Sequence, residues 1–168
     1  MVEKESSEMK RAETVLSSSG APPTREARRM YWNGARWTAS GHYESWFARA
    51  NHPTRPLGFW IRYTIFSPGQ PTAAEGELWA VMFDGETDTI TAARQAWPAL
   101  SCTFNKADLD VQMPGVAFGP NSLHGSAESA GHRLSWDMRY NAPESPLLLL
   151  DSSLYRSSFP KAKAVVPT

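Results

Sequence analysis

The chain has 168 residues, a single cysteine, and seventeen basic against seventeen acidic side chains, for a formal net charge of zero. That length suits one ordinary domain, and the cancelled charge offers no net field to recruit nucleic acid or an anionic membrane. With only Cys102, an intramolecular disulfide framework and a cysteine-based zinc site are excluded, and the residue is expected to be a small buried apolar one.

Residues 1–29 contain no aromatic side chain, carry charges of both signs and include Ser17-Ser-Ser-Gly-Ala-Pro-Pro23. Such a stretch buries too little apolar surface to offset the entropy of ordering, so a disordered tail is expected there. No segment has the apolar core of a secretory signal or the length of a membrane span, which predicts a cytosolic protein without membrane insertion. Every aromatic residue lies between Tyr31 and Phe159, so 30–160 is expected to fold and 161–168 to be linker-like.

Within 30–160 the hydrophobic period is two. A first strand is expected to end near Ala50, followed by Asn51-His-Pro-Thr-Arg-Pro56, whose two prolines and Asn form a turn. Leu57 to Phe66 is the next strand, with Leu57, Phe59, Ile61, Tyr63 and Ile65 on one face and Trp60, Arg62, Thr64 and Phe66 on the other. After a Pro-rich loop from Ser67 to Ala74, Glu75 to Asp84 alternates Trp79, Val81 and Phe83 against Leu78, Ala80 and Met82. Asp84-Gly85 is a hairpin signal that returns the chain through Asp88 to Gln95. Ser129-Ala-Gly131 turns the chain into the clearest strand, Gly131 to Tyr140, where Leu134, Trp136, Met138 and Tyr140 form the apolar face. No long amphipathic helix is present. The pattern predicts an all-β, antiparallel barrel or sandwich of about eight strands.

No phosphate-binding loop, HExxH, GxSxG or dinucleotide fingerprint occurs. His42, His52, His124 and His132 are scattered beside turn signals, so neither a metal site nor a cofactor is expected. What remains are polar residues inside apolar strands. Glu44 and Arg49 have opposite parity; Arg62 shares a face with Trp60 and Thr64, and Glu77 with Trp79. Burying an unpaired charge costs several kcal/mol, so Arg62 is expected to pair with Glu44 or Glu77 across the sheet. Trp136 belongs to the core. Trp46, Trp60 and Trp79, in three neighbouring strands, are the candidates to wall a pocket for a planar or polyene ligand.

The runs Gly41-His-Tyr-Glu-Ser-Trp-Phe-Ala-Arg-Ala-Asn51, Phe59-Trp-Ile-Arg-Tyr-Thr-Ile-Phe66 and Gly76-Glu-Leu-Trp-Ala-Val-Met-Phe-Asp84 resemble the lipocalin-like family of hydroxyneurosporene synthase, a carotenoid hydratase, and of the AttH-like proteins. The likeness runs over about 31–163 and corresponds to the N-terminal of two consecutive lipocalin-like barrels. It implies an apolar ligand, an isoprenoid or another secondary metabolite, held near Trp46, Trp60, Arg62 and Trp79, and a second lipocalin-like domain as partner. Catalysis of the hydratase or cyclase type would need a buried carboxylic acid that protonates an alkene, and Glu44 beside Trp46 is the candidate donor. The expectation is binding without turnover by this half alone. The alternative is a non-enzymatic structural or interaction β domain with a filled core.

Overall fold

Strict alternation makes the first four strands long, and their turns fix how they meet. The computed structural model describes residues 41–68, 73–105, 109–141, 147–157 and 165–166. The expected tail, 1–29, lies outside the described residues, as do most of 161–168 and the middle of the Pro-rich loop. Strands β1 (His42–Asn51), β2 (Leu57–Ser67), β3 (Glu75–Asp84) and β4 (Thr89–Pro98) form one antiparallel sheet in chain order. In the β1–β2 turn, His52 Nδ1 accepts the backbone N–H groups of Thr54 and Arg55 at 3.2 and 3.1 Å, so this histidine closes a turn. In the β3–β4 turn the Asp84 carboxylate accepts the N–H groups of Glu86 and Thr87 at 2.8 and 3.2 Å. The two turns are tied together: Gly85 N–H donates to the Pro56 carbonyl at 2.7 Å, and Arg55 grips Glu86 through Nε and Nη2 at 2.8 and 2.6 Å.

A 3-10 turn at Ala99–Ser101 leads into a second antiparallel sheet, β5 (Thr103–Phe104), β6 (Val111–Met113), β7 (Val116–Phe118), β8 (Ser122–Ser129) and β9 (His132–Arg139), again in chain order. Between β8 and β9, Ala130 and Gly131 both have positive φ, 51° and 80°. This is the two-residue turn whose backbone matches the twist of the flanking strands. Gly125 in β8 has φ +151°, and a Cβ there would stand 2.5 Å from Val116 Cγ1 and 2.9 Å from Val116 Cα, so only glycine lets β7 and β8 approach at that rung. A short ladder joins β10 (Leu147–Leu148) to β11 (Val165–Val166), and the five-residue helix α1 (Ser152–Arg156) begins on Asp151, whose carboxylate accepts Ser153 N–H at 2.9 Å.

The expected all-β antiparallel fold is the one observed. Of its two forms it takes the open one, because among the described residues no ladder joins the two large sheets. They are held by their facing side chains. Trp46, Ile61, Tyr63, Ile65, Leu78, Ala80 and Ala93 from the first sheet meet Val111, Met113, Val116, Phe118, Leu123, Ala127, Leu134, Trp136 and Met138 from the second. Tyr63 bridges them: its buried phenol donates to the Ala117 carbonyl at 3.2 Å and accepts Trp136 Nε1–H at 3.3 Å. Burial pushes the Tyr63 phenol well above its ordinary pKa, a rise the Trp136 hydrogen bond only partly offsets. Tyr140 Oη donates to the Gly119 carbonyl, and the buried Trp46 stacks on Phe104 at 5.4 Å between ring centroids. Cys102 is half-buried against this core beside Gly76, where burial raises the thiol pKa.

Candidate functional site: the outer face of the first sheet

Because side chains alternate, the first sheet has a second face, turned away from the core. The register fixes its membership rung by rung: Tyr43, Phe66, Glu75 and Pro98; Ser45, Thr64, Glu77 and Ala96; Phe47, Arg62, Trp79 and Arg94; Arg49, Trp60, Val81 and Ala92; Asn51, Gly58, Phe83 and Ile90. An ordinary outer face in an antiparallel sandwich is polar. This one is aromatic, with Tyr43, Phe47, Phe66, Phe83 and Ile90 exposed at 57, 54, 49, 44 and 70%.

At its centre is an ionic cluster. Glu77 accepts Arg94 Nε and Nη2 on one oxygen at 2.8 and 2.5 Å, and Trp79 Nε1–H at 2.7 Å with Arg62 Nη2 at 3.4 Å on the other. Partial burial pushes the Glu77 carboxyl up, but the hydrogen bonds from Arg94 and Trp79 and the charges of Arg94 and Arg62 outweigh it and hold the pKa below the ordinary carboxylate value. The guanidinium carbons of Arg62 and Arg94 lie 5.3 and 5.8 Å from the ring centroids of Trp60 and Trp79. Cations over indole faces are stabilised by the ring quadrupole, so each arginine is drawn to the indole beside it. Two buried polar atoms on this face, Arg62 Nε and Thr64 Oγ1, have no hydrogen-bond partner among the described residues.

The residues singled out from the sequence divide between the two faces. Trp60, Arg62 and Trp79 come together on the outer face, and Arg62 pairs with Glu77, one of its two expected partners. Trp46 is on the opposite face, opposite Tyr63 and 8% exposed, inside the core. Glu44 shares that inner face, opposite Ile65 and partly buried, so it is separated from Trp60, Arg62 and Trp79 by the sheet itself. Trp136 is core, 4% exposed. The space between the sheets near Phe59, Ile61, Ala80, Val81, Met82, Leu134 and Trp136 leaves room for no more than about one water. Arg94, which closes the cluster, was not among the sequence candidates. Its signal was the Asp84-Gly85 hairpin: with a four-residue turn at Gly85–Asp88, Arg94 falls opposite Trp79.

Among the described residues no group of three His, Cys, Asp or Glu side chains could hold a metal ion, and no helix is long and apolar enough to cross a membrane. Comparison with protein-family models, curated proteins and solved structures returns no match.

Proposed function

We propose that this chain is a non-catalytic interaction domain, a β-sandwich with a filled core whose working surface is the outer face of its first sheet. One observation carries the reading: five large apolar side chains, Tyr43, Phe47, Phe66, Phe83 and Ile90, stand exposed on a single sheet face. Scattered exposed hydrophobics are normal, whereas five on one sheet face, two at each end and Phe47 on the edge strand between them, make that face the candidate interaction site. Tyr, Trp, Phe and Arg are also the side chains that interface cores favour. The ionisable group at the centre of the face argues against acid chemistry there, because Glu77 is held as a carboxylate and has no proton to give. The test is a photoreactive phenylalanine analogue at position 47, compared with the same probe at His124, exposed on the second sheet. Adducts from position 47 and none from 124 are expected; no adduct from 47 in a cell extract overturns the reading.

A second reading, an apolar small molecule bound by a lipocalin-like domain of the hydroxyneurosporene synthase type, is favoured by the gathering of Trp60, Arg62 and Trp79 on one face. Here a polyene would lie across the indoles instead of entering the sandwich. Saturable quenching of tryptophan fluorescence by a long isoprenoid or polyene, lost in a Trp60→Leu/Trp79→Leu double variant, supports it. Quenching that does not saturate removes it.

A further inference from the structure

We propose that His52 is a proton-operated latch: a second proton on its ring unfastens the two tied turns at the end of the first sheet that carries Phe83 and Ile90. The latch belongs to the turns and works whether or not the outer face has a partner.

The latch starts in the run Asn51-His-Pro-Thr-Arg-Pro56. Pro53 has no N–H and a fixed φ, so the first two amides after the ring are those of Thr54 and Arg55. Both donate to His52 Nδ1, at 3.2 and 3.1 Å. A side chain that accepts the N–H groups two and three residues further on is the pattern of an Asn, Asp, Ser or Thr cap. Asp84 does the same on the facing turn, where it accepts Glu86 and Thr87 at 2.8 and 3.2 Å. The two turns are closed by one geometry and by different chemistry.

A neutral imidazole has one donor and one acceptor, whereas the charged ring has two donors. Two amides on Nδ1 fix the neutral tautomer whose proton is on Nε2. A second proton has to go on Nδ1 itself, where it points at the two N–H groups, and neither hydrogen bond survives. Imidazoles in general change charge between about pH 5 and 8, a range in which carboxylates stay ionised. The Asp84 carboxyl is held below its ordinary value, chiefly by the backbone hydrogen bond from Glu86, so its turn stays closed there. Mild acid opens one cap and leaves the other.

What the ring holds reaches the facing turn. With its amide on Nδ1, Arg55 is placed to grip Glu86 through Nε and Nη2 at 2.8 and 2.6 Å, and the next carbonyl, that of Pro56, accepts Gly85 N–H at 2.7 Å. The charged groups about the pair are Arg55 on the near turn and Asp84, Glu86 and Asp88 on the facing one. A charged ring competes with Arg55 for Glu86, whose carboxyl is held low chiefly by the Arg55 hydrogen bond and in smaller part by the charge of His52. Losing two amide bonds and diverting Glu86 act in the same direction. Both loosen Arg55, and with it the contact between Gly85 and Pro56.

The experiment is backbone amide exchange of the full chain by heteronuclear NMR between about pH 7.5 and about pH 5, each rate taken relative to the intrinsic rate at that pH. In wild type, protection at Thr54, Arg55 and Gly85 should fall together by about two- to tenfold, the change that losing one hydrogen bond brings, while Glu86 and Thr87 hold. His52→Asn sets an amide oxygen in the place of Nδ1 and has no proton to gain. Protection at the same three amides should then stay constant, although His42, His124 and His132 remain in the chain. His52→Ala should leave them unprotected at every pH. Constant protection in wild type overturns the latch, as does an equal fall in His52→Asn or a neutral ring whose nitrogen shifts place the proton on Nδ1. A Gly85 amide that holds while Thr54 and Arg55 loosen overturns the link between the turns.

Discussion

The two faces of the first sheet are cut from the same four strands and obey opposite rules. On the inner face Ile61, Tyr63, Ile65 and Leu78 are exposed at 1% or less, and the one phenol among them is satisfied on both sides, by Ala117 and Trp136. On the outer face Tyr43, Phe47, Phe66 and Phe83 stand about half in water, while Trp60 and Trp79 are partly buried beside a carboxylate gripped by two guanidiniums. Hydrophobic side chains on both faces therefore do not mean that both faces are core. The inner set stabilises the fold of one chain, and the outer set is available to something else. If that division is right, substitutions of similar chemistry should separate cleanly by face.

The largest expected effect is on the inner side. Trp136→Ala removes a ring 4% exposed, packed at the centre of the sandwich, and should destabilise by about 3–5 kcal/mol in denaturant unfolding. The same truncation of Trp79 on the outer face should cost less than half as much. Equal losses would erase the distinction between the faces.

Next is Tyr63→Phe, which keeps the ring but leaves the Ala117 carbonyl and the Trp136 N–H without the phenol. Stranded buried polar groups cost about 1–3 kcal/mol, measurable as a shift in urea midpoint at constant slope. The linkage sign follows from the raised phenol pKa. Above about pH 10 an unfolded tyrosine ionises while the folded Tyr63 does not, so the unfolded state binds fewer protons and stability falls as pH rises. Tyr63→Phe should show a shallower alkaline loss than wild type. Parallel alkaline curves would mean that the phenol is wet.

Smaller again is Glu77→Gln, expected to cost about 1–2 kcal/mol at pH 7 because the cluster is only partly buried and solvent screens it. The folded pKa of Glu77 lies below its unfolded value, so its contribution is complete above the unfolded pKa of about 4.3 and is lost as pH falls through the folded one. The gap between wild type and Glu77→Gln should therefore close below about pH 4. Asp84 and Glu86, whose pKa values are also lowered, are common to both proteins and cancel in that difference. A gap that persists into acid would assign the loss to packing and not to charge.

How much of this was legible in the sequence depends on what each inference needed. Parity within a strand needs only alternation, so the faces of β2, β3 and β9 were readable, as were the turns at Asp84-Gly85 and Ala130-Gly131. Parity between strands needs the exact number of residues in each turn. The β1–β2 connection pairs Trp46 with Tyr63, and so puts Trp46 on the inner face while Trp60 and Trp79 point out. Three tryptophans in adjacent strands were visible; that they could not share one surface was not. Strands β5, β6 and β7, two or three residues each, are too short to show any period. They form because β8 and the cleared space at Gly125 give them a template, which is tertiary context and not local pattern.

The smallest expected effect tests the outer face as directly as Trp136 tests the inner one. Phe47 lies in β1, the end strand of the four, and opposite Arg62. With 54% of its surface still in water, it has little burial to lose within one chain. Replacing it by Thr keeps a residue that favours a pleated strand, so propensity contributes almost nothing. The expected change in unfolding free energy is within about 0.5 kcal/mol, the ordinary range for a surface site. The same substitution removes an apolar side chain from the proposed interaction surface, so it should lower adduct formation by a photoreactive probe placed elsewhere on that face while leaving the unfolding curve in place. A loss above about 2 kcal/mol in dilute solution would show that Phe47 packs within its own chain, and would turn the outer face from an interaction surface into a second core.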